Sequence, residues 1–214
     1  MIKKFLLFST VVFSIFLIAQ NNNDDDIFVQ DKAGYLVLKP SVEKKVKEAS
    51  IKETNMLLTK FTDSLKANDI YSSDDSFLAD QKKNIDFNRE NLLITTYINA
   101  YNEYPGATTT MGMNWMMSYY ISENDRLLNK YYKLALQELT PAMKQRLVES
   151  QKKWLAYYEN EKKLLFDVHD FGNHNSSLYA KEPILGILAN RVNFLFSVYN
   201  HEMMGSNTYV DKNN

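Results

Sequence analysis

Apolar residues recur along most of this chain at the three- and four-residue steps that place side chains on one face of an α-helix. Five such stretches are predicted, separated by short breaks rich in polar residues, glycine or proline. Their defining positions are Val42, Val46, Ala49 and Met56, with Leu57, Phe61 and Leu65 beside them, in the first; Phe77, Leu78, Ile85, Leu92 and Tyr97 in the second; Met113, Met117, Tyr120, Leu127, Leu128, Tyr131 and Leu134 in the third; Leu147, Gln151, Trp154 or Leu155, Tyr158 and Leu165 in the fourth; and Ile184, Leu188, Arg191, Leu195 and Val198 in the fifth.

Capping residues and prolines indicate where these helices begin. Thr140 and Pro141 are expected to start the fourth helix, because the first helical position does not need the N–H that proline lacks. The polar residues 172–182 are expected to form a loop, after which Pro183 would start the fifth helix. Only Tyr35–Leu38 has the pattern of a strand, and one strand forms no sheet. The predicted fold is all-α, with about five helices forming two antiparallel hairpins and a closing C-terminal helix.

The two hairpins share a weak internal similarity. A shift of 70 residues aligns Leu57-Leu58 with Leu127-Leu128 and Gln81-Lys82-Lys83 with Gln151-Lys152-Lys153, and gives eight identities between residues 51 and 87. Asn84 then stands opposite Trp154. Two interpretations remain open: a degenerate duplication of one helical hairpin, or two amphipathic hairpins of similar composition.

The first residues have the pattern of a secretory signal. Lys3 and Lys4 precede the uncharged, mostly apolar run from Phe5 to Ala19. At about 1.5 Å per residue that run spans about 23 Å, which is short of a bilayer core of about 30 Å. We therefore expect a signal peptide at residues 1–20 and a periplasmic or secreted protein, with membrane attachment only if the signal is uncleaved. Residues 21–39 are expected to be a disordered or extended linker, residues 40–104 an N-terminal hairpin, and residues 113–204 a second helical domain.

Composition narrows the possible partners. The 25 basic and 26 acidic residues give a net charge of −1, so a nucleic-acid-binding surface is not expected. The chain contains no cysteine, which excludes disulfides and a lipid attached to a processed cysteine. An exported domain of this kind must be held together by helix packing alone.

Candidate catalytic and metal-binding residues are few. His169, Asp170 and His174 lie close together in sequence, but the five-residue step between the histidines does not place them on one helix face. Ser150 and Lys153 match a Ser-x-x-Lys pattern of penicillin-recognising enzymes, whose companion motifs are absent from the sequence. We therefore predict no catalytic residue, no metal and no cofactor, and we expect that the chain is not an enzyme.

Most of the sequence motifs lie between residues 113 and 199. They are Leu128-Asn129-x-x-Tyr132, a break at Leu139-Thr140-Pro141, Gln151-x-x-Trp154, Gly172 and Arg191-x-x-x-Leu195. This series resembles the LprI-type lysozyme-inhibitor family, small exported helical domains mostly of unknown function. Two features depart from the family pattern. Tyr158-Glu159 stands where the family often has Arg-Asp, and the cysteine expected near Lys162 is absent.

The family-motif residues are expected to be structural: Leu128, Asn129, Tyr132, Gln151, Trp154, Tyr158, Arg191 and Leu195. Helical spacing places the polar and aromatic residues of each motif on one face, and we expect the two faces to pack together. Gln151 or Asn129 would bond the buried indole N–H or phenol O–H. Arg191 would reach Glu159 or Glu161 from the fifth helix. The alternative is a binding groove lined by the same aromatic side chains.

The resemblance implies a protein partner, either lysozyme or another cell-wall hydrolase. A lysozyme cleft is concave and holds two carboxylates, so a protruding polar loop that carries a cation would fit it. The segment 172–181 has this character, and its candidate contact residues are His174, Ser176, Ser177, Tyr179 and Lys181. The alternatives are that this segment is an ordinary helix connection, and that the protein is an envelope interaction or structural module with no hydrolase target.

Overall fold

Five long helices account for most of the chain in a computed structural model, which describes residues 27–33, 36–67, 75–169 and 176–200. The helices are α1 (Pro40–Ala67), α2 (Asp75–Asn102), α3 (Thr110–Glu138), α4 (Pro141–His169) and α5 (Ser176–Tyr199). A short 3₁₀ helix (Pro105–Thr108) precedes α3, and two short strands, β1 (Phe28–Gln30) and β2 (Leu36–Leu38), precede α1. The all-α prediction is confirmed. The expected signal peptide and residues 21–26 of the expected linker lie outside the described residues.

Local sequence explains how α3 and α4 begin. The hydroxyl of Thr109 accepts a hydrogen bond from the N–H of Gly112 at 3.0 Å, which satisfies one free donor of the first turn of α3. The hydroxyl of Thr140 accepts from the N–H of Met143 at 3.4 Å, and Pro141 is the first residue of α4. The start predicted for the fourth helix is therefore confirmed.

The segment before α1 differs from the prediction of a disordered or extended linker with a single isolated strand. Strands β1 and β2 pair antiparallel, with Phe28 opposite Leu38. Ile27, Phe28 and Leu38 are buried, and the ring of Phe28 lies 6.3 Å from that of Trp115 in α3. These apolar contacts hold a hairpin whose strands have only three residues each.

The buried side chains form two clusters. The smaller one joins the β-hairpin to α1, α2 and the 3₁₀ helix, and partly buried residues of the first turns of α3 pack against it. Its buried members are Ile27, Phe28, Leu38, Val46, Tyr97, Ile98, Tyr101 and Ala107. The larger one contains residues of α2, α3, α4 and α5. It includes Leu127, Leu188 and Leu195, each at most 1% exposed. Burial of one such leucine stabilises the fold by about 2 kcal/mol.

The last helix lies against both members of the second hairpin. Lys181 of α5 contacts Asn114 of α3, and Phe196 further along α5 contacts Tyr131, so these two helices run parallel. Arg191 contacts Gln151 of α4, whereas the earlier Tyr179 lies beside His169 at the end of α4, so α4 and α5 run antiparallel. The helix predicted to close the bundle thus supplies most of the packing for both α3 and α4.

The start of α5 corrects the predicted loop at residues 172–182. The helix begins at Ser176, so Pro183 lies inside it. An internal proline removes one backbone hydrogen bond and costs about 3 kcal/mol. Burial of Ala180 and Ile184 and the bonds of Lys181 to α3 offset that cost. Residues 170–175 lie outside the described residues.

The two aligned hairpins are packed differently. Leu127 and Leu128 are buried under α5, whereas their counterparts Leu57 and Leu58 are half-buried. Asn84, the counterpart of Trp154, accepts a hydrogen bond from Asn200 at 3.1 Å. The duplication remains a prediction.

Candidate functional site

Arg191 is the centre of a polar cluster between α4 and α5. Its Nε donates to Oε1 of Gln151 at 2.9 Å, and its Nη2 donates to Oγ of Ser150 at 3.1 Å. The centre of the guanidinium lies 4.6 Å from the ring centroid of Phe194 and 5.6 Å from that of Trp154. Two aromatic faces and two neutral acceptors therefore hold a cation that is only 9% exposed.

The expected partners of Arg191 were wrong. It forms no salt bridge in the part of the chain that the structure describes, and burial lowers the pKa of its guanidinium. Glu159 instead pairs with Lys162 at 2.9 Å on the outer side of α4. The side of α4 on which each residue lies explains the difference, because Gln151 is on the buried face and Glu159 on the exposed one.

The expected bonds between the two motif faces were also wrong. Asn129 is exposed and donates back to the carbonyl of Asp125 at 2.9 Å, within its own helix. The indole of Trp154 stacks on the ring of Tyr158 at 5.1 Å, also within one helix. Tyr132 and Trp154 are both partly buried against the larger core cluster. The structural role predicted for the apolar motif residues Leu128 and Leu195 agrees with their burial.

Three of the five predicted contact residues can be placed, and they lie on the first turns of α5. Lys181 Nζ donates to the carbonyl of Asn114 at 3.3 Å, to Oδ1 of Asn114 at 3.2 Å and to Oγ of Ser118 at 2.9 Å. Ser177 Oγ donates to Oδ1 of Asn114 at 3.1 Å. Burial lowers the pKa of Lys181. The ammonium group is thus bonded internally, and Tyr179 is 51% exposed.

Tyr179 belongs to an exposed region where α4 ends and α5 begins. No described residue of α4 beyond Tyr158 is buried. Phe166 is 37% exposed, and the ring of His169 stacks near that of Tyr179 at 6.3 Å. We call Phe166, His169, Ser177, Tyr179 and Lys181 the α4–α5 end. The side chain of Ser176, the first residue of α5, and all of His174 lie outside what the structure describes.

The sequence reasoning missed Asn114 and Ser118, which fix Lys181. Their spacing of four places them on one face of α3, and both are small polar residues in an otherwise apolar and aromatic stretch. Only the parallel course of α3 and α5 brings them to Lys181, and that course has no signature in the sequence.

Little in the described part of the chain suits a metal or a small ligand. No three residues of His, Asp or Glu lie close enough there to hold a metal ion, and Asp170 and His174 fall outside it. An open groove of about 280 Å³ lies between α1 and α2, lined by Lys45, Val46, Ala49, Ala100, Glu103 and Tyr104. Its volume falls just below the usual range of ligand pockets, about 300–1,000 Å³. Among the described helices none has both the length and the apolar content needed to cross a membrane.

Comparison with known proteins gives one family match, which covers part of the chain. Residues 102–186 match the model of the family described as lysozyme inhibitor LprI. The matched range runs from the end of α2 into α5, so it contains the α4–α5 end and the motifs around Tyr132 and Trp154, whereas Arg191 and Leu195 lie beyond it. No curated protein and no solved structure matches the chain. The resemblance drawn from the motifs is thereby confirmed for residues 102–186, which are similar to the LprI lysozyme-inhibitor family.

Proposed function

We propose that this protein is exported and inhibits a lysozyme-class hydrolase of the cell wall by binding it, without catalysing a reaction itself. The observation that carries the proposal is the match of residues 102–186 to a family described by that inhibitory activity. The apolar run at the start of the sequence supports export. We propose the α4–α5 end as the contact surface.

The exposure of the α4–α5 end suits insertion into a cleft. Phe166 and Leu164 lie on opposite flanks of α4, because positions i and i+2 of a helix are about 200° apart around its axis. Both side chains are exposed, at 37% and 55%. A flat partner would contact one flank only. A concave cleft, such as the substrate cleft of a glycan hydrolase, would contact both flanks together with Tyr179.

Internal bonds hold the first turns of α5 in place for binding. Lys181 and Ser177 are fixed to Asn114, so Tyr179 projects from backbone that is already ordered. An ordered surface loses less conformational entropy on binding than a mobile loop does. The cation of Lys181 would act on the carboxylates of the hydrolase through its field, since its hydrogens are bonded to α3.

A lysozyme activity assay tests the proposal. The chain without residues 1–20 is titrated into lysozyme acting on intact cell walls, and we expect dose-dependent, saturable inhibition. Tyr179→Ala should weaken inhibition by about tenfold, because it removes a central aromatic contact. Tyr157→Ala is the matched control, since Tyr157 on α4 is similarly exposed, at 48% against 51%, and lies outside the α4–α5 end.

Full lysozyme turnover at a large molar excess of the chain would overturn the proposal and would favour an envelope interaction module with no hydrolase target. If inhibition occurs but Tyr157→Ala weakens it as much as Tyr179→Ala does, the contact surface lies elsewhere on the chain.

A further inference from the structure

A second surface runs along α4, and of the residues proposed above to enter a hydrolase cleft it contains only Leu164. It consists of the half-buried Ser150 and five exposed residues, Arg146, Lys153, Tyr157, Leu164 and Val168, which together we call the α4 stripe. Their spacings of four, three, four, seven and four residues place them on one side of the helix. From the first to the last, at about 1.5 Å per residue, the stripe is about 33 Å long.

The first half of the α4 stripe is basic and rich in hydrogen-bond donors. Arg146 and Lys153 are exposed, and neither forms a salt bridge among the described residues. Ser150 accepts its hydrogen bond from the cation of Arg191, so its own O–H remains available as a donor. The first half thus carries two exposed cations with Arg191 behind them, none in a salt bridge among the described residues, and one carboxylate, Glu149, three residues from Arg146 and four from Lys153.

The second half of the α4 stripe is apolar. Tyr157, Leu164 and Val168 are 48%, 55% and 56% exposed, which is high for large apolar side chains spaced along one side of a helix. Two carboxylates border these residues at helical spacing, the half-buried Glu161 and the exposed Asp167. The excess of positive charge is therefore confined to the first half, where Arg146, Lys153 and Arg191 outnumber Glu149.

We propose that the α4 stripe binds an amphipathic helical segment of a partner protein whose carboxylates face Arg146, Ser150 and Lys153 and whose apolar side chains cover Tyr157, Leu164 and Val168. The charge of the stripe selects this occupant, because a basic segment would be repelled from its first half. An acidic partner matches the first half better than a second copy docked in parallel, which would place two basic halves together. The inference does not depend on hydrolase inhibition.

The probe is a fluorescein-labelled synthetic helical peptide of about 22 residues, the length that spans the stripe. One form has glutamates in its N-terminal half and leucines in its C-terminal half on one face, a second form has the halves exchanged, and a third has lysine in place of each glutamate. Fluorescence anisotropy against the chain without residues 1–20 measures binding at two salt concentrations. We expect one of the acidic forms to bind saturably, with an affinity that falls as salt rises.

Neighbouring residues on different sides of α4 provide matched controls. Lys153→Glu should weaken binding of the acidic peptide by about tenfold, since it places a like charge opposite the peptide. Lys152→Glu makes the same charge change one residue away on the outer side of the helix and should have little effect. Leu164→Asp should likewise weaken binding, and Phe166→Asp, on the opposite flank, should not.

The proposal is overturned if neither acidic form binds at about 1 mM chain, if the lysine form binds as well as the acidic forms, or if Lys152→Glu acts as strongly as Lys153→Glu. Concentration-dependent dimerisation of the chain that Lys153→Glu abolishes would also overturn it, because the occupant would then be a second copy. Circular dichroism of each variant identifies unfolding. Tyr157→Ala is a further variant on the stripe that should keep the helix, because alanine favours helical backbone.

Discussion

The guanidinium of Arg191 donates from Nε to the amide oxygen of Gln151 at 2.9 Å, and both side chains are more than nine-tenths buried. The bond joins a residue inside the family-matched range to one beyond it. It also gives α4 and α5 a polar connection within an otherwise apolar interface, where an unsatisfied charge would be costly.

Gln151→Leu should therefore lower the free energy of unfolding by about 2 kcal/mol, because it leaves a buried charged donor without its acceptor. Arg191→Met should cost a similar amount, and the double substitution should cost clearly less than the sum of the two. Urea denaturation of the four proteins in this cycle measures the coupling. Gln145→Leu, at an exposed position of the same helix, should change stability by less than about 0.5 kcal/mol. Additive effects of the two buried substitutions would show that the bond contributes nothing.

The two described glycines within α-helices should respond to alanine in opposite directions. A Cβ on Gly112 would lie 2.6 Å from the carbonyl oxygen of Ala107 and closer still to that of Gly106, so the 3₁₀ helix would have to move. We expect Gly112→Ala to cost about 3 kcal/mol.

A Cβ on Gly186 would meet nothing within 4 Å. Gly186→Ala should therefore stabilise the protein by about 0.5–1 kcal/mol, through the lower conformational entropy of the unfolded chain. Thermal unfolding of both variants measures the difference, and equal shifts in melting temperature would contradict the packing described at Gly112.

Two buried tyrosines should differ in what their hydroxyl groups contribute. The hydroxyl of Tyr101 donates to the carbonyl of Gly112 at 3.1 Å, whereas the buried hydroxyl of Tyr131 has no hydrogen-bond partner among the described residues. Tyr101→Phe should cost about 1 kcal/mol, and Tyr131→Phe should be neutral or stabilising. Denaturant unfolding tests both, and a larger loss for Tyr131→Phe would contradict this assignment.

Stability should fall in alkaline solution. Burial raises the pKa of Tyr101 from 10.0 to about 12, and burial is also the main cause of the raised pKa values of Tyr97, Tyr119 and Tyr131. A raised folded-state pKa means that the unfolded chain releases these protons first, so the stabilisation is complete below about pH 10 and is lost as the pH rises towards 12. The urea midpoint should decrease across this interval while tyrosinate absorbance, the probe of ionisation, increases. A constant midpoint would show that these phenols ionise equally in the folded and unfolded chain.

Periodicity predicts the helices of this protein well, because each has a long amphipathic pattern. Thr140 and Pro141 also mark the start of α4 correctly. The start of α5 could not be read in this way, since Pro183 suits the first position of a helix and only contacts with another helix keep it in an interior one. Strand β1 was missed because three residues carry too little pattern to identify a strand.

The candidate site was harder to predict than the fold. Ser177 and Lys181 were selected as exposed contacts of a polar loop, and both are bonded to Asn114 instead. Arg191 was assigned a carboxylate and has Gln151. Both differences arise because helical spacing gives the face of each residue but not the direction in which a neighbouring helix runs.

The position of α5 in the core also determines the order in which the interior forms. Leu188 and Leu195 are made after Leu127 and Tyr158, although all four belong to the larger cluster. On a ribosome, the apolar faces of α3 and α4 remain without their main partner until α5 has emerged. The smaller cluster uses residues from the earlier part of the chain, so it is complete sooner. The core of the family-matched region consequently cannot be completed before α5 has been synthesised.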